Sequence, residues 1–339
     1  MKKYPSILVW LIIIILLFLL FNFGKSLQWQ LWWVNIDNSQ KDKKDDSQAF
    51  RRDGLRTDTS IADIDLWEIL DGGPGKDGIP ALTNPNFVDI DTNDYLEPED
   101  EWTVFVVDDT AKFYPNRILN RHEIINDSVW GTDIVVTFCP LCGTSLVFDP
   151  YIEGEKLEFW VSWKLWQSNL LMYDTKTESL RSQAFTKAKV WEYTGTELSI
   201  LSFDVMTREE YTETHPTWLV MDINTWYERN YHWSAYDGYG DTERLYFPVD
   251  NNDDKRIHPK TMMIVLDIEE WQAALVKSAV KWLTKVTDIT LWNTIIKVSF
   301  DNGDITILDK DTNKLIHFEE MRFSYINRNV WSELIWWDI

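Results

Sequence analysis

"SVWGTDIVVTFCPLCGTSLVF", residues 128–148, contains both cysteines of the 339-residue chain. The β-branched and aromatic runs on either side of Cys139-Pro-Leu-Cys-Gly143 read as two strands, and the residues between them as a hairpin turn. The same texture continues outward. "TVFVVDD" (103–109), "DIVVTF" (133–138), "SLVFD", "KLEFWVS" and "NLLMYD" are short strand signals separated by turn residues. Helical spacing is rarer: "NRILNRHEIIND" (116–127), "DVMTREEYTETHP" (204–216) and "EEWQAALVKSAVKWL" (269–283) each predict a helix. Strands outnumber helices, so the expected class is α+β, a predominantly antiparallel β domain with a few helices.

The chain also matches itself. Residues 128–138 align without gaps on "TLWNTIIKVSF", 290–300, and similar strand signals flank both stretches. We expect two diverged repeat units, about 101–150 and about 260–310, inside one compact domain. Where the first unit has "CPLCGT" the second has "DNGD" (301–304), an ordinary tight-turn signal. A hairpin of this kind does not need cysteines to turn.

Composition bounds the partners. A formal net charge of −22 excludes a nucleic-acid backbone as partner, and the acidic residues are spread as a solvated surface. At the N-terminus, Lys2 and Lys3 precede an almost unbroken apolar run from Ile7 to Phe21 with no small-residue cleavage site after it. This predicts an uncleaved signal anchor over 1–25, a single membrane-spanning helix. A polar linker over 26–60 and an extracytoplasmic domain over 61–339 follow it. The membrane is then one partner; a protein or small-molecule partner stays open.

Three chemistries are open to Cys139 and Cys142. In Cys-Pro-x-Cys-Gly the turn points backbone N–H groups at sulfur, which suits a soft transition metal such as zinc, copper or iron. Two cysteines supply only half a site, so His122 and Glu123, just upstream of the first hairpin strand, are the expected further ligands. The second chemistry is thiol–disulfide cycling at the same two residues, and the third an inert disulfide in a non-catalytic envelope scaffold. The aspartate-rich "DIDTNDYLEPED" (89–100) lacks the glycine an EF-hand needs at its sixth position. "GGPGKDG" (72–78) lacks the Gly-Lys-Ser/Thr ending of a phosphate loop.

"GGPGKDGIPALTNPNFV" (72–88), "AKFYPNRILNRHEIIND", "VTFCPLCGTSLVFDP" and "SNLLMYDTKTESLRSQ" (168–183) resemble, in this order, the bacterial family catalogued as domain of unknown function 3179. The resemblance runs from about residue 64 to at least 220 and continues weakly beyond. It implies an exported or membrane-bound protein and no particular activity. The family's hallmarks fall here on His122, Glu123, Asn126, Asp127, Cys139, Cys142, Asn169, Tyr173, Asp174 and Gln183. It also implies glycine where this chain has tryptophan, after Ser162 and near Gly131, Val190 and Trp233. The chain has 20 tryptophans against 13 glycines. We therefore expect Trp130, Trp163, Trp191, Trp233 and Trp292 to be UGA codons that the source organism reads as glycine. The alternative is a protein rich in genuine packing tryptophans.

Overall fold

The computed structural model describes residues 53–108, 110–207, 217–234, 236–250, 254–268, 271–291, 294–301, 304–326 and 332–335. The anchor and most of the linker expected over 1–60 lie outside these residues, as does Trp292. Among the described residues no helix is long and apolar enough to cross a membrane.

The α+β expectation holds in the form of several mostly antiparallel sheets and two short α-helices among the described residues. Glu101–Val107 and Thr110–Pro115 form a hairpin at the centre of a five-stranded sheet. Asp204–Thr207 adds antiparallel on one side and Thr217–Met221 parallel on the other. The helix Asn116–His122 follows directly, then the meander Ile124–Val129, Thr132–Cys139, Thr144–Phe148. Ile118 and Leu119 of the helix pack on Ile125, Val136 and Val147 of the meander and on Tyr114. A third sheet centres on Phe159–Trp166 paired with Asn169–Asp174.

Later in the chain, Met262–Ile268 pairs with Trp271–Val276, the helix Lys277–Lys281 follows, and then comes the meander Thr287–Leu291, Thr294–Asp301, Asp304–Asp309. Its core joins Ile264, Leu275, Val280, Ile289, Val298 and Ile307. Phe318–Arg322 pairs with the other edge of Met262–Ile268.

Three helix expectations shorten or fail. The first helix ends at His122 because Glu123 turns left-handed, φ 58°, and the chain leaves as a strand. Asp204–Thr207 is a strand, paired with Glu101–Val107. Of 269–283, Trp271–Val276 is strand and only Lys277–Lys281 is helix. Short apolar runs such as "AALV" fit either period, and here a facing strand decides.

The tryptophans occupy unusual backbone. Val129 pairs with Thr132, so Trp130 and Gly131 alone make the hairpin turn, with φ 49° and 85°. Two positive φ angles in a two-residue loop define a type I′ turn, which favours Asn-Gly or Gly-Gly. Trp130 is 73% exposed there. Trp163 sits at φ 60° in a bulge between Val161 and Lys164, and Trp191 at φ 81°. A bulky residue in this region is a genuine outlier. Trp233 is not among the positive-φ residues; it is exposed, and the Arg121 guanidinium lies over its ring at 4.9 Å.

Candidate functional site

The cysteines close one strand and bracket the turn to the next. Cys139 ends Thr132–Cys139, and Gly143, at φ 69°, returns its N–H to the Cys139 carbonyl at 2.8 Å. Only glycine takes that angle without strain. Both sulfurs are reduced and buried, and the two cysteines lie 3.2 Å apart. Asn169 donates from Nδ2 to the Cys142 sulfur at 3.3 Å and to Gln183 Oε1 at 2.9 Å. Gln183 in turn donates to Thr137 Oγ1 and the Thr144 carbonyl. This amide relay ties the third sheet to the cysteine hairpin and holds a donor against one sulfur.

The electrostatics of the two thiols diverge. Burial pushes both upward. Around Cys142 the Cys139 thiol, Thr144 and the Asn169 amide donate to the sulfur and bring it down to about 7. Cys139 is pushed well above the ordinary thiol range, first by burial and then by its neighbour's sulfur. Glu123, buried and sensitive to charge on Cys142, is raised to about 8, burial being the larger cause. The arrangement is a thiolate donor, a thiol proton donor and a carboxyl that stays protonated near neutrality. Tyr239 and Tyr325, with hydroxyls 2.5 Å apart, lie close enough for charge on Cys139 to bear on both of them.

The metal expectation is overturned. Among the described residues no group of three or more His, Cys, Asp or Glu side chains could hold an ion. His122 is bonded elsewhere. Its Nδ1 meets the Pro80 carbonyl at 2.7 Å and its Nε2 the Tyr231 hydroxyl at 2.6 Å, and burial lowers its pKa to about 4. Both ring nitrogens are committed to buried hydrogen bonds, and two sulfurs alone do not make a closed soft-metal site. The inert disulfide fails too, since both cysteines are free. His122→Ala is expected to lower stability by about 3 kcal/mol through the lost ring and its two buried bonds. It should leave the ultraviolet thiolate absorbance of the cysteines unchanged; urea unfolding and a pH titration check the two halves.

Of the residues expected to share the site, Cys139, Cys142, Asn169, Gln183 and Glu123 come together. The others brace the fold. Asn126 pairs its side-chain amide with both backbone groups of Phe159. Asp127 takes Lys112 and the Tyr114 hydroxyl, each at 2.8 Å. The Tyr173 hydroxyl donates to Asp77, and Asp174 closes the turn to Ser179. Sequence reasoning missed Arg322, which donates to the carbonyls of Pro140 and Leu141. It lies far down the chain with no motif around it.

No curated protein and no solved structure matches the chain. The family described as "Protein of unknown function (DUF3179)" matches residues 76–329. That stretch covers most of the chain and contains the cysteine turn, its amide relay and Arg322, and the protein accordingly belongs to the DUF3179 family.

Proposed function

We propose that Cys139 and Cys142 form a reversible dithiol–disulfide couple that exchanges electrons with a low-molecular-weight disulfide. The observation that carries this reading is two reduced cysteines 3.2 Å apart with donors gathered on the Cys142 sulfur. Burial of both cysteines favours a small partner over a protein disulfide. In the forward step the Cys142 thiolate attacks one partner sulfur, an S–S bond forms, and the partner's other sulfur leaves as a thiolate. The negative charge on Cys142 is consumed in that bond. With that charge gone burial alone holds the Glu123 proton, which is released more readily to the departing thiolate and replaced by the one from Cys139. Cys139 then attacks the Cys142 sulfur and expels the second partner sulfur. Two electrons pass to the partner; the Cys139 proton restores Glu123, whose own went to the first leaving thiolate, the second leaving thiolate takes its proton from solvent, and the protein keeps an internal disulfide.

The full-length protein equilibrated in graded oxidised and reduced glutathione tests this. The expected result is a loss of both alkylatable thiols together, counted after unfolding, and their return on reduction. Cys142→Ser should fold and lose the transition. Two thiols that stay reduced at every ratio would sink the proposal.

We further infer that 101–150 and 260–310 are diverged copies. Both run as hairpin, short helix and three-stranded meander, and each hairpin receives a parallel strand on its second member. That strand is Thr217–Met221 in the first and Ser332–Ile335 in the second. On the strength of Lys2, Lys3 and the apolar run from Ile7 to Phe21, we place this chemistry on the extracytoplasmic side of a membrane.

A further inference from the structure

The cysteine turn is gripped from the far end of the chain. Arg322, the last residue of Phe318–Arg322, donates its backbone N–H to the Cys142 carbonyl at 2.8 Å. Its guanidinium Nη1 donates to the carbonyls of Pro140, at 2.8 Å, and Leu141, at 2.9 Å. Three successive carbonyls of the Cys-x-x-Cys segment thus face one residue. The amide hydrogens bear on the sulfurs: the Cys142 N–H favours charge on Cys139, and the Thr144 N–H, on a peptide Arg322 does not hold, favours charge on Cys142.

These two facts are mechanically linked. The Leu141 carbonyl and the Cys142 N–H belong to one rigid peptide plane, so holding the carbonyl outward aims the N–H inward. A donor on the carbonyl also polarises the amide at the other end of the unit. The guanidinium is itself held. It lies over the Tyr239 ring at 5.0 Å. A Cβ on Gly143 would come within 3.3 Å of Nε and 3.4 Å of Cγ of Arg322, so the missing side chain leaves it room.

We propose that Arg322 is a positioning residue of the dithiol, setting its reactivity by fixing the Leu141–Cys142 peptide plane, whose N–H bears on the Cys139 sulfur. It touches neither sulfur nor any partner. An arginine suits this task because its planar fork keeps its donors in fixed directions, whereas a lysine ammonium is a rotatable point charge. Loss of the fork weakens the N–H donor on the Cys139 sulfur; a less acidic Cys139 thiol is a poorer donor to Cys142, and the Cys142 thiolate is harder to form. The reduced state loses stabilisation, and the couple becomes more reducing.

The inference rests on the dithiol–disulfide reading, and two readouts on the full-length protein keep the two apart. Wild type, Arg322→Gln, Arg322→Lys and Lys277→Met are compared. Lys277 bonds Glu320 on the same strand, so its loss loosens that strand without touching the turn. Arg322→Lys keeps the charge and the backbone bond to Cys142, which guards against simple failure to fold. The first readout is ultraviolet thiolate absorbance against pH, taken as the difference from Cys142→Ser, which requires no access to the buried sulfurs. The midpoint should move up by roughly one pH unit in both Arg322 variants and stay in place in Lys277→Met. The second is the equilibrium constant with glutathione, which should move roughly tenfold toward the disulfide in the Arg322 variants. Unmoved midpoints in both Arg322 variants, or equal movement in Lys277→Met, would overturn the positioning role. A wild type that never exchanges with glutathione would overturn the redox reading instead, while the absorbance midpoints still judge Arg322.

Discussion

Glu123→Gln is expected to stabilise the protein at alkaline pH and to leave it nearly unchanged at pH 4.5. In the folded protein the carboxyl titrates at about 8, against 4.5 for an ordinary glutamate. Between those values the folded chain keeps a proton that the unfolded chain has released. Stability therefore falls with rising pH across this window, by about 1.4 kcal/mol per unit at most. Integrated over the window, the loss is on the order of 5 kcal/mol by pH 8 and above. Glutamine has the same shape and no charge to bury, so the variant escapes the decline. Cys142 runs the other way, its lowered pKa adding stability as pH rises past 7. Cys142 titrates in both proteins, so the comparison between them reads the carboxyl together with its coupling to that thiol. Denaturant unfolding at pH 5 and at pH 8.5 decides the matter. Stability differences equal at the two pH values would mean that Glu123 is solvated in the folded state.

Glycine at Trp130, Trp163 and Trp191 is expected to give a more stable protein than the chain with tryptophan there. The left-handed conformation costs a non-glycine residue about 1–2 kcal/mol, and glycine's greater freedom when unfolded returns roughly 0.5–1 of that. At Trp130 nothing opposes the gain, because the indole is exposed on a type I′ turn. At Trp163 the ring does find neighbours: Gly72, Gly73 and Gly78 surround it closely. Its Nε1 is nevertheless buried without a hydrogen-bond partner, a further penalty of about 1–3 kcal/mol. Lost indole packing at Trp163 and Trp191 offsets part of these terms, and for the three changes together the expected gain is about 2–3 kcal/mol in thermal or denaturant unfolding. The gene gives an independent check, since these codons should be TGA. TGG at all three would establish them as real packing residues, and unchanged or lower stability of the glycine form would say the same physically. Trp233 is not in the left-handed region and receives no support from its backbone.

The hairpin at the centre of the site was legible because Thr132–Cys139 and Thr144–Phe148 are dense in β-branched and aromatic residues around a turn-forming glycine. The turn's own chemistry was legible too: N–H groups on sulfur and a glycine after the second cysteine follow from Cys-Pro-x-Cys-Gly itself. What the site gathers around that turn was not. His122 and Glu123 are adjacent in sequence, yet the left-handed Glu123 ends the helix between them and sends the imidazole to Pro80 and Tyr231. A metal reading needed both to converge, and one backbone angle prevents it. Asn169 and Gln183 came into view through family resemblance, since a lone amide in a strand has no chemical signature. Trp271–Val276 was misread as helix because its apolar run fits either period, and only its partner Met262–Ile268 fixes it as strand.

The bonds from Arg322 to residues 140–142 carry a consequence for biogenesis. A chain made from its N-terminus emerges with Cys139 and Cys142 well before Phe318–Arg322, the strand that orders their turn. Domains assemble as their segments become available. During the interval the thiols have their own hairpin but not the outer clasp that aims an amide at one of them. Until then they are ordinary cysteines, open to whatever oxidant surrounds the growing chain, and they acquire their special character only once Arg322 is in place. A truncated product ending before residue 322 would thus keep both cysteines and lack the grip that sets them apart.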